Sequence, residues 1–266
     1  MKDFLDKLAH TAQNTLQEGY YNVNSDQKRQ HTSSLSLQQC IQEEIHAPII
    51  AEVKLASPSS GRIRLNENLK QLVTSLARGG AVAVSVLTEP KYFSGSITNF
   101  IRIREVVNLP LLIKDIIISP QQIETAAAIG ADAILLIQAL FNRGYCKLDL
   151  RQMIDYAHSL NLEVLLETHT QQEFMTAVNT PTNLIGINNR DLTTLQVDIQ
   201  NTSKIMQNIS SVASLKTKVI VSESGITKPQ HIRELHQSGV HAFLVGSAIM
   251  KAQHPEETLR KLVMAI

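Results

Sequence analysis

Two cysteines in 266 residues, Cys40 and Cys146, form no C-x-x-C pair. That leaves no disulfide framework and no thiolate metal centre, and it fits a reducing compartment. A surplus of one charge is missing too. Twenty-five basic residues stand against 24 acidic ones, a net +1, so no long-range field draws nucleic acid or an anionic membrane. No apolar run reaches the roughly 18 residues that a membrane-spanning helix needs. The first residues, Met1 to Lys7, carry two aspartates and no signal-type apolar stretch. The expectation is a soluble, cytoplasmic protein with neither nucleic acid nor membrane as partner. Three motifs are absent as well. No G-x-G-x-x-G follows an apolar run, which weakens a doubly wound dinucleotide-binding sheet. No G-x-S-x-G elbow argues for a hydrolase nucleophile. The nine histidines are scattered without ligand spacing, so no metal is expected.

What is present is an apolar run that recurs eight times: Ile49–Val53, Ala81–Leu87, Leu111–Ile113, Ala133–Ile137, Val164–Leu166, Leu184–Ile187, Val219–Val221 and Ala242–Val245. Helical punctuation falls between the runs. Ser119-Pro-Gln-Gln122 supplies an N-cap, a proline at the first helical position and a capping-box glutamine, and Gly130 closes that helix. Thr170 with Glu173 and Thr227 with Gln230 repeat the device. Gly79-Gly80 and Gly239 end two others. Short apolar strands alternating with helices, without a linker, predict a parallel sheet. Eight of them favour closure into a (β/α)8 TIM barrel. Residues 1–266 are read as one barrel domain. Residues 1–48 form an N-terminal helical extension, in which Phe4, Leu5, Leu8 and Leu16 suit one amphipathic helix and Ser36 to Gln39 starts another.

Chemistry gathers where these runs end. Glu52 and Lys54 interrupt the first run two residues apart, and on a strand they point to the same side. Alone they read as a structural ion pair. Lys114-Asp115, Glu167, Asn188-Asn189-Arg190, Ser222-Glu223-Ser224-Gly225 and Gly246-Ser247 follow other runs, whereas the second and fourth offer only Thr88-Glu89 and Gln138. In a barrel of this kind all of these ends converge on one mouth, the usual place of an active site. Ser224-Gly225 and Gly246-Ser247 lie after runs seven and eight, where such barrels hold phosphate through backbone N–H groups. The lysines and carboxylates suit acid–base work on a phosphorylated small molecule. Either lysine also suits a Schiff base, and the residues alone leave both chemistries open. His169, beside Glu167, reads as a loop residue, since no second ligand is spaced to join it.

Seven segments carry a resemblance. They are Glu52-Val-Lys-Leu-Ala-Ser-Pro-Ser59, Ser85 to Ser96, Lys114-Asp115, Gly130 to Ile137, Gly186-Ile-Asn-Asn-Arg-Asp-Leu192, Ser222-Glu-Ser-Gly-Ile226 and Leu244 to Met250. In register across essentially the whole chain, they closely resemble indole-3-glycerol phosphate synthases. The resemblance implies a reaction with neither metal nor organic cofactor. Its substrate is 1-(2-carboxyphenylamino)-1-deoxyribulose 5-phosphate, and it releases indole-3-glycerol phosphate, carbon dioxide and water. It further implies Lys114 as general acid and Glu167 as general base. Lys54 would hold the substrate carboxylate or phosphate, while Glu52, Asn188 and Glu223 orient hydroxyls and lysines. Arg190 and Ser224 would contact substrate, and Ser57, Gly225, Gly246 and Ser247 would serve the phosphate end. The extension would pack over the mouth, and the chain would be a monomer or at most a weak homodimer. Departures from the family pattern are Leu55 where a basic residue is frequent, Ile116 where a phenylalanine is common, and Ser94 where glutamine often stands. Phosphoribosylanthranilate isomerase, the neighbouring barrel, uses a Cys/Asp pair at strand ends, and both cysteines here lie elsewhere. A silent barrel that only binds a metabolite would be expected to lose Lys114 or Glu167.

Overall fold

The computed structural model describes residues 3–24, 35–54, 56–57, 61–62, 68–209 and 217–266, with the backbone alone for 56, 57 and 62. Eight parallel strands close into a barrel: β1 Ile49–Val53, β2 Ala83–Leu87, β3 Leu111–Lys114, β4 Ala133–Ile137, β5 Glu163–Thr168, β6 Leu184–Asn188, β7 Val219–Glu223 and β8 Ala242–Val245. Each strand pairs with its sequence neighbours, and β8 returns to β1 through Ile49↔Phe243 and Ile50↔Leu244. The expected (β/α)8 barrel is what forms. Beyond β1, Ala56–Ser57 and Gly61–Arg62 make a small antiparallel ribbon.

Side chains alternate across a strand, so parity decides which residues fill the barrel. Ile50, Ala83, Leu112, Ala133, Leu135, Leu165, Leu184, Val219, Val221, Ala242 and Leu244 cluster inside it. The opposite parity faces outward, where Ile49, Val84, Ile113, Ile134, Leu166, Ile185, Ile220 and Phe243 pack in a second cluster with helix residues such as Phe100, Phe174 and Leu259. Both faces are apolar because helices cover the outside and side chains fill the inside. That is why these strands read as nearly continuous apolar runs.

The helices start and stop largely where their punctuation stands. Thr170 and Glu173 form the reciprocal capping box of Gln171–Val178. Gly80, Gly130 and Gly239 take left-handed φ of 93°, 83° and 95° just past their helices. One expectation fails. Thr227 does not cap Pro229–Gln237; Lys228 is the N-cap, with φ −151° and ψ 157°. Proline forces the residue before it into extended backbone, so the boundary moves one residue toward Pro229.

The two helices of the N-terminal segment serve opposite ends of the barrel. α1 (Phe4–Gln17) lies at the C-terminal end of the strands, where Phe4 and Leu8 reach the mouth. Beyond it, the Tyr20 hydroxyl donates to the Thr88 carbonyl at 2.9 Å, and Tyr21 donates to the Asp115 carboxylate at 3.1 Å. α2 (Leu37–Glu43) seals the other end, with Leu37 and Ile41 packed on the interior cluster. Its N-terminus is pinned to the strand starts: Ser36 Oγ donates to Glu163 at 2.6 Å, and Gln38 N–H to the same carboxylate at 3.1 Å.

Asp132, fully buried, joins three parts of this end. It accepts 2.8 Å bonds from Leu35 N–H, from Leu111 N–H and from Arg104 Nη1. Removing one member of a buried ion pair leaves the other charge uncompensated, typically at a cost of about 3–5 kcal/mol. Arg104 keeps the Val107 and Leu109 carbonyls, which favours the lower end of that range. Asp132→Asn is therefore expected to destabilise the barrel by about 3 kcal/mol, read as a lowered urea midpoint. An unchanged midpoint would show that the backbone bonds alone hold this corner.

Candidate active site

The interior parity that is apolar low in the barrel turns polar at its C-terminal end. Ile50 is followed by Glu52, Leu112 by Lys114, Leu165 by Glu167, Gly186 by Asn188 and Val221 by Glu223. Adjacent strands bring these residues level: Glu167 stands beside Gly186, and Asn188 beside Glu223. Glu52, Lys114, Glu167 and Asn188 line a mouth of about 740 Å³, its open space included.

Lys114 is the centre. Its Nζ lies 3.0 Å from Glu167 Oε2 and 3.0 Å from Glu223 Oε2. Asn188 Nδ2 donates to the other oxygen of Glu167 at 3.0 Å, and Asn188 Oδ1 accepts from Arg190 N–H at 2.9 Å. Lys54 Nζ pairs with Glu52 Oε1 at 2.6 Å. Burial would pull the Lys114 ammonium down, but Glu167, Glu223 and Glu52 outweigh it and hold the group above the usual lysine value. Burial would likewise raise Glu52, yet Lys54 and Lys114 keep it below the ordinary glutamate range. Glu223 goes the other way. Burial lifts it to about 7, with Glu167 adding repulsion and Lys114 opposing. The cluster thus holds the Lys114 ammonium, a Glu52 carboxylate kept ionised and one carboxyl, Glu223, poised near neutrality. That combination suits proton transfer at ordinary pH.

Two glycines make room for it. A Cβ on Gly186 would stand 2.2 Å from Glu223 Oε1, and one on Gly246 would stand 2.9 Å from Glu52 Oε1. Neither position is about backbone freedom; each is about the carboxylate beside it.

A second cavity, of about 760 Å³ with its open space included, adjoins the first and shares Glu52, Lys54, Arg190 and Ser224 with it. Gly225, Gly246, Ser247 and Lys251 are also in its lining. Ser224 and Gly225 both take left-handed φ, 67° and 80°, so the chain turns sharply over the end of β7. A non-glycine in that region is strained, which marks Ser224 as a position held by its surroundings. Asn189 is one cause: its side chain donates to the Ser224 carbonyl at 3.0 Å and to Ser222 Oγ at 3.1 Å. Arg190 donates to the Leu195 carbonyl at 2.7 Å, which aims its guanidinium along the boundary of the two cavities.

The structure therefore gathers Glu52, Lys54, Lys114, Glu167, Asn188, Arg190 and Ser224 around the mouth, with Gly225, Gly246 and Ser247 in the adjoining cavity. Glu223 lines neither, and is buried behind Lys114 as its ion-pair partner. Ser57 sits in the ribbon, and its side chain and Leu55 lie outside the described residues. Sequence reasoning passed over the apolar wall. Phe4, Leu8, Phe93, Leu135, Ile137 and Leu192 line the mouth together with Ile116. Phe93 is reached because Glu89, read as a plain strand end, accepts from the N–H groups of Lys91, Tyr92 and Phe93 at 2.9, 2.7 and 3.0 Å. A carboxylate followed by a short polar turn is the signal that could have found it. Among the described residues no group of three or more His, Cys, Asp or Glu side chains is arranged to hold a metal ion.

Fold and site together define a (β/α)8 barrel with a lysine–carboxylate acid–base centre at the strand ends and an adjoining Gly/Ser-lined cavity after β7 and β8. Residues 3–262 match the sequence model of the family described as indole-3-glycerol phosphate synthase. Relatives of that name include the protein of Methanocaldococcus jannaschii, 41% identical over 84% of this chain and 80% of its own length. That of Bordetella pertussis is 41% identical over 85% and 84%, and that of Aquifex aeolicus 40% over 81% and 80%. The chain belongs to the indole-3-glycerol phosphate synthase family. Solved structures share the fold at much lower identity. The N-acetylmannosamine-6-phosphate 2-epimerase of Clostridium perfringens superposes with a TM-score of 0.57 at 13% identity, covering 83% of this chain and 93% of that one. Thiamine phosphate pyrophosphorylase of Pyrococcus furiosus gives 0.55 at 17%, covering 81% and 93%.

Two outcomes are expected from this geometry. Gly186→Ala should displace Glu223, with an overpacking cost of about 1–3 kcal/mol. In a Glu223→Ala background the same change should cost clearly less, and equal costs in both backgrounds would show that Glu223 is not what Gly186 accommodates. The second outcome follows from the raised Glu223 carboxyl. An unfolded glutamate loses its proton near about 4.3, the folded one at about 7. Between those values the folded state binds more protons, so this group's contribution to stability falls as pH rises. Glu223→Gln should flatten the decline of the urea midpoint between pH 5 and pH 8.

Proposed function

We propose that this chain catalyses the indole-3-glycerol phosphate synthase reaction: ring closure of 1-(2-carboxyphenylamino)-1-deoxyribulose 5-phosphate with loss of carbon dioxide and water. Family membership supports the reaction. The observation that carries the assignment of roles is the Lys114 ammonium, held 3.0 Å from each of two carboxylates at the bottom of the mouth.

The aromatic ring takes the apolar wall. Ile116 offers no ring face, but Phe4 and Phe93 line the same cavity and supply aromatic surface from other segments. The phosphate takes the adjoining cavity at Gly225, Gly246 and Ser247, where the backbone at Gly225 and Gly246 has no Cβ to hold the anion off. Arg190 and Lys54 lie on the boundary and add positive charge. Held at both ends, the substrate presents its ketone to Lys114.

Lys114 protonates the ketone oxygen as the ring carbon attacks, carbon dioxide leaves, and Glu167 then removes the carbon-bound proton as water departs. A lysine held above its usual pKa is always loaded but reluctant to donate. Two changes during turnover weaken its hold: the oxygen gains negative charge, and a proton taken up by Glu167 or Glu223 cancels a carboxylate that had stabilised the ammonium. Asn188 keeps Glu167 in place through their 3.0 Å bond. Glu52 orients Lys54.

Lys114→Met keeps much of the side-chain volume and removes the donor. It is expected to lower kcat by about 10²–10⁴-fold, followed as indole fluorescence from the carboxyphenylamino substrate. Affinity for the phosphorylated product should survive, because those contacts lie on β7 and β8. A variant that is folded by circular dichroism and keeps more than half of the native kcat would hand the acid role to Lys54.

A further inference from the structure

The proposed reaction has a proton deficit, and the fold contains a route that answers it. The substrate enters as a carboxylate and leaves as carbon dioxide. The bond to the carboxylate breaks with its electron pair left in the ring. The ketone oxygen takes two protons and departs as water, while the carbon beside the nitrogen gives up one. Each turnover therefore consumes one proton from solvent. Glu167, which receives the carbon-bound proton, touches Lys114 at 3.0 Å and can return that proton to the acid. The missing one comes from solvent, and a route beside the mouth can deliver it while substrate is bound.

A third cavity, of about 660 Å³ with its open space included, reaches Glu167 from the side away from the phosphate end. It shares Ile137, Glu167 and Leu192 with the mouth, so these three residues form the wall between the two spaces. Thr168, His169 and Asp191 continue its lining. His169 is half-buried there, and its Nδ1 stands 2.8 Å from the carbonyl oxygen of Asn188. A carbonyl only accepts, so Nδ1 carries a hydrogen and Nε2 is the atom left to take up and release a proton. The charged groups around this cavity are Glu167, Asp191, Glu173 and Arg143. Arg143 is paired with Asp3 and Asp6. Glu173 accepts from His169 N–H at 2.8 Å, which fixes the backbone of the histidine.

Resting on the proposed reaction, we infer that this side cavity is the path of the imported proton, with His169 Nε2 passing it from solvent toward Glu167 and thence to Lys114. Its place in the loop after β5, which read as an inert loop position, then has a use: it lets the acid–base pair reload without opening the substrate's end of the barrel.

The test is His169→Asn, whose amide can still donate to the Asn188 carbonyl but cannot carry a proton. Because a side cavity open to solvent still lets water carry protons without the imidazole, kcat should fall by about tenfold, less than the loss of a direct acid. KM and product affinity should stay as in the native protein. The solvent deuterium effect on kcat should grow, and added imidazole should restore the rate. Native kcat with a native isotope effect would overturn the relay. So would a loss of rate that imidazole does not restore, since that is what a positioning role alone produces. If the asparagine variant does not fold, His169→Gln gives the same readouts. Failure of the reaction itself looks different: the native protein would then form no indole product, before any variant is compared.

Discussion

A lysine ammonium held between two buried carboxylates is the constraint from which the rest of the structure follows. A charge taken out of water is tolerated only when it is paired and hydrogen-bonded. Lys114 meets that condition through Glu167 and Glu223, each 3.0 Å away. The cluster in turn dictates its surroundings. Gly186 leaves the space that Glu223 fills, Gly246 leaves the space that Glu52 fills, and Asn188 satisfies the second oxygen of Glu167. Removing any of these would leave a charge without its partner or two groups in one place.

The barrel tolerates such a cluster because it is segregated by layer. Interior residues low in the strands are apolar and close-packed, with α2 sealing that end. The polar layer sits above them, carried by rigid strand ends and not by loops, so its distances persist before substrate arrives. Preorganisation of this kind is where electrostatic catalysis gains most, since no dipole has to be reoriented during the reaction. Helix α1 and the two tyrosines after it bind the other end of the barrel at Thr88 and Asp115. The segment that precedes the barrel in sequence thus holds it at both faces.

Much of this was legible in the chain. Each of the eight apolar runs became a strand, because a strand covered on both faces has no reason to alternate. Glu163–Thr168 and Val219–Glu223 extend past their runs, and Ala83–Leu87 falls short of its own. Glu52, Lys114, Glu167, Asn188 and Glu223 stood out as polar residues ending runs that otherwise exclude them. Other features were hidden for physical reasons. Thr227 looked like a cap, but Pro229 imposed its own backbone preference on Lys228. Phe4 and Phe93 offered no sign that they would supply the ring surface Ile116 lacks, since they are far apart in sequence and meet only at the mouth. His169 looked idle because its partner, the Asn188 carbonyl, is a backbone atom that no side-chain pattern reveals.

By itself the sequence determined the number of strands, their closure into a barrel and the identity of the polar groups at the mouth. Each of these depends on local periodicity or on a residue type placed against its local preference. Only the tertiary structure decided the protonation balance. Whether Glu223 is lifted toward neutrality and Lys114 held above its usual value depends on burial and on distances between strands β1, β3, β5 and β7. Electrostatic energy falls with separation and rises as water is excluded, and both quantities exist only once the barrel has closed.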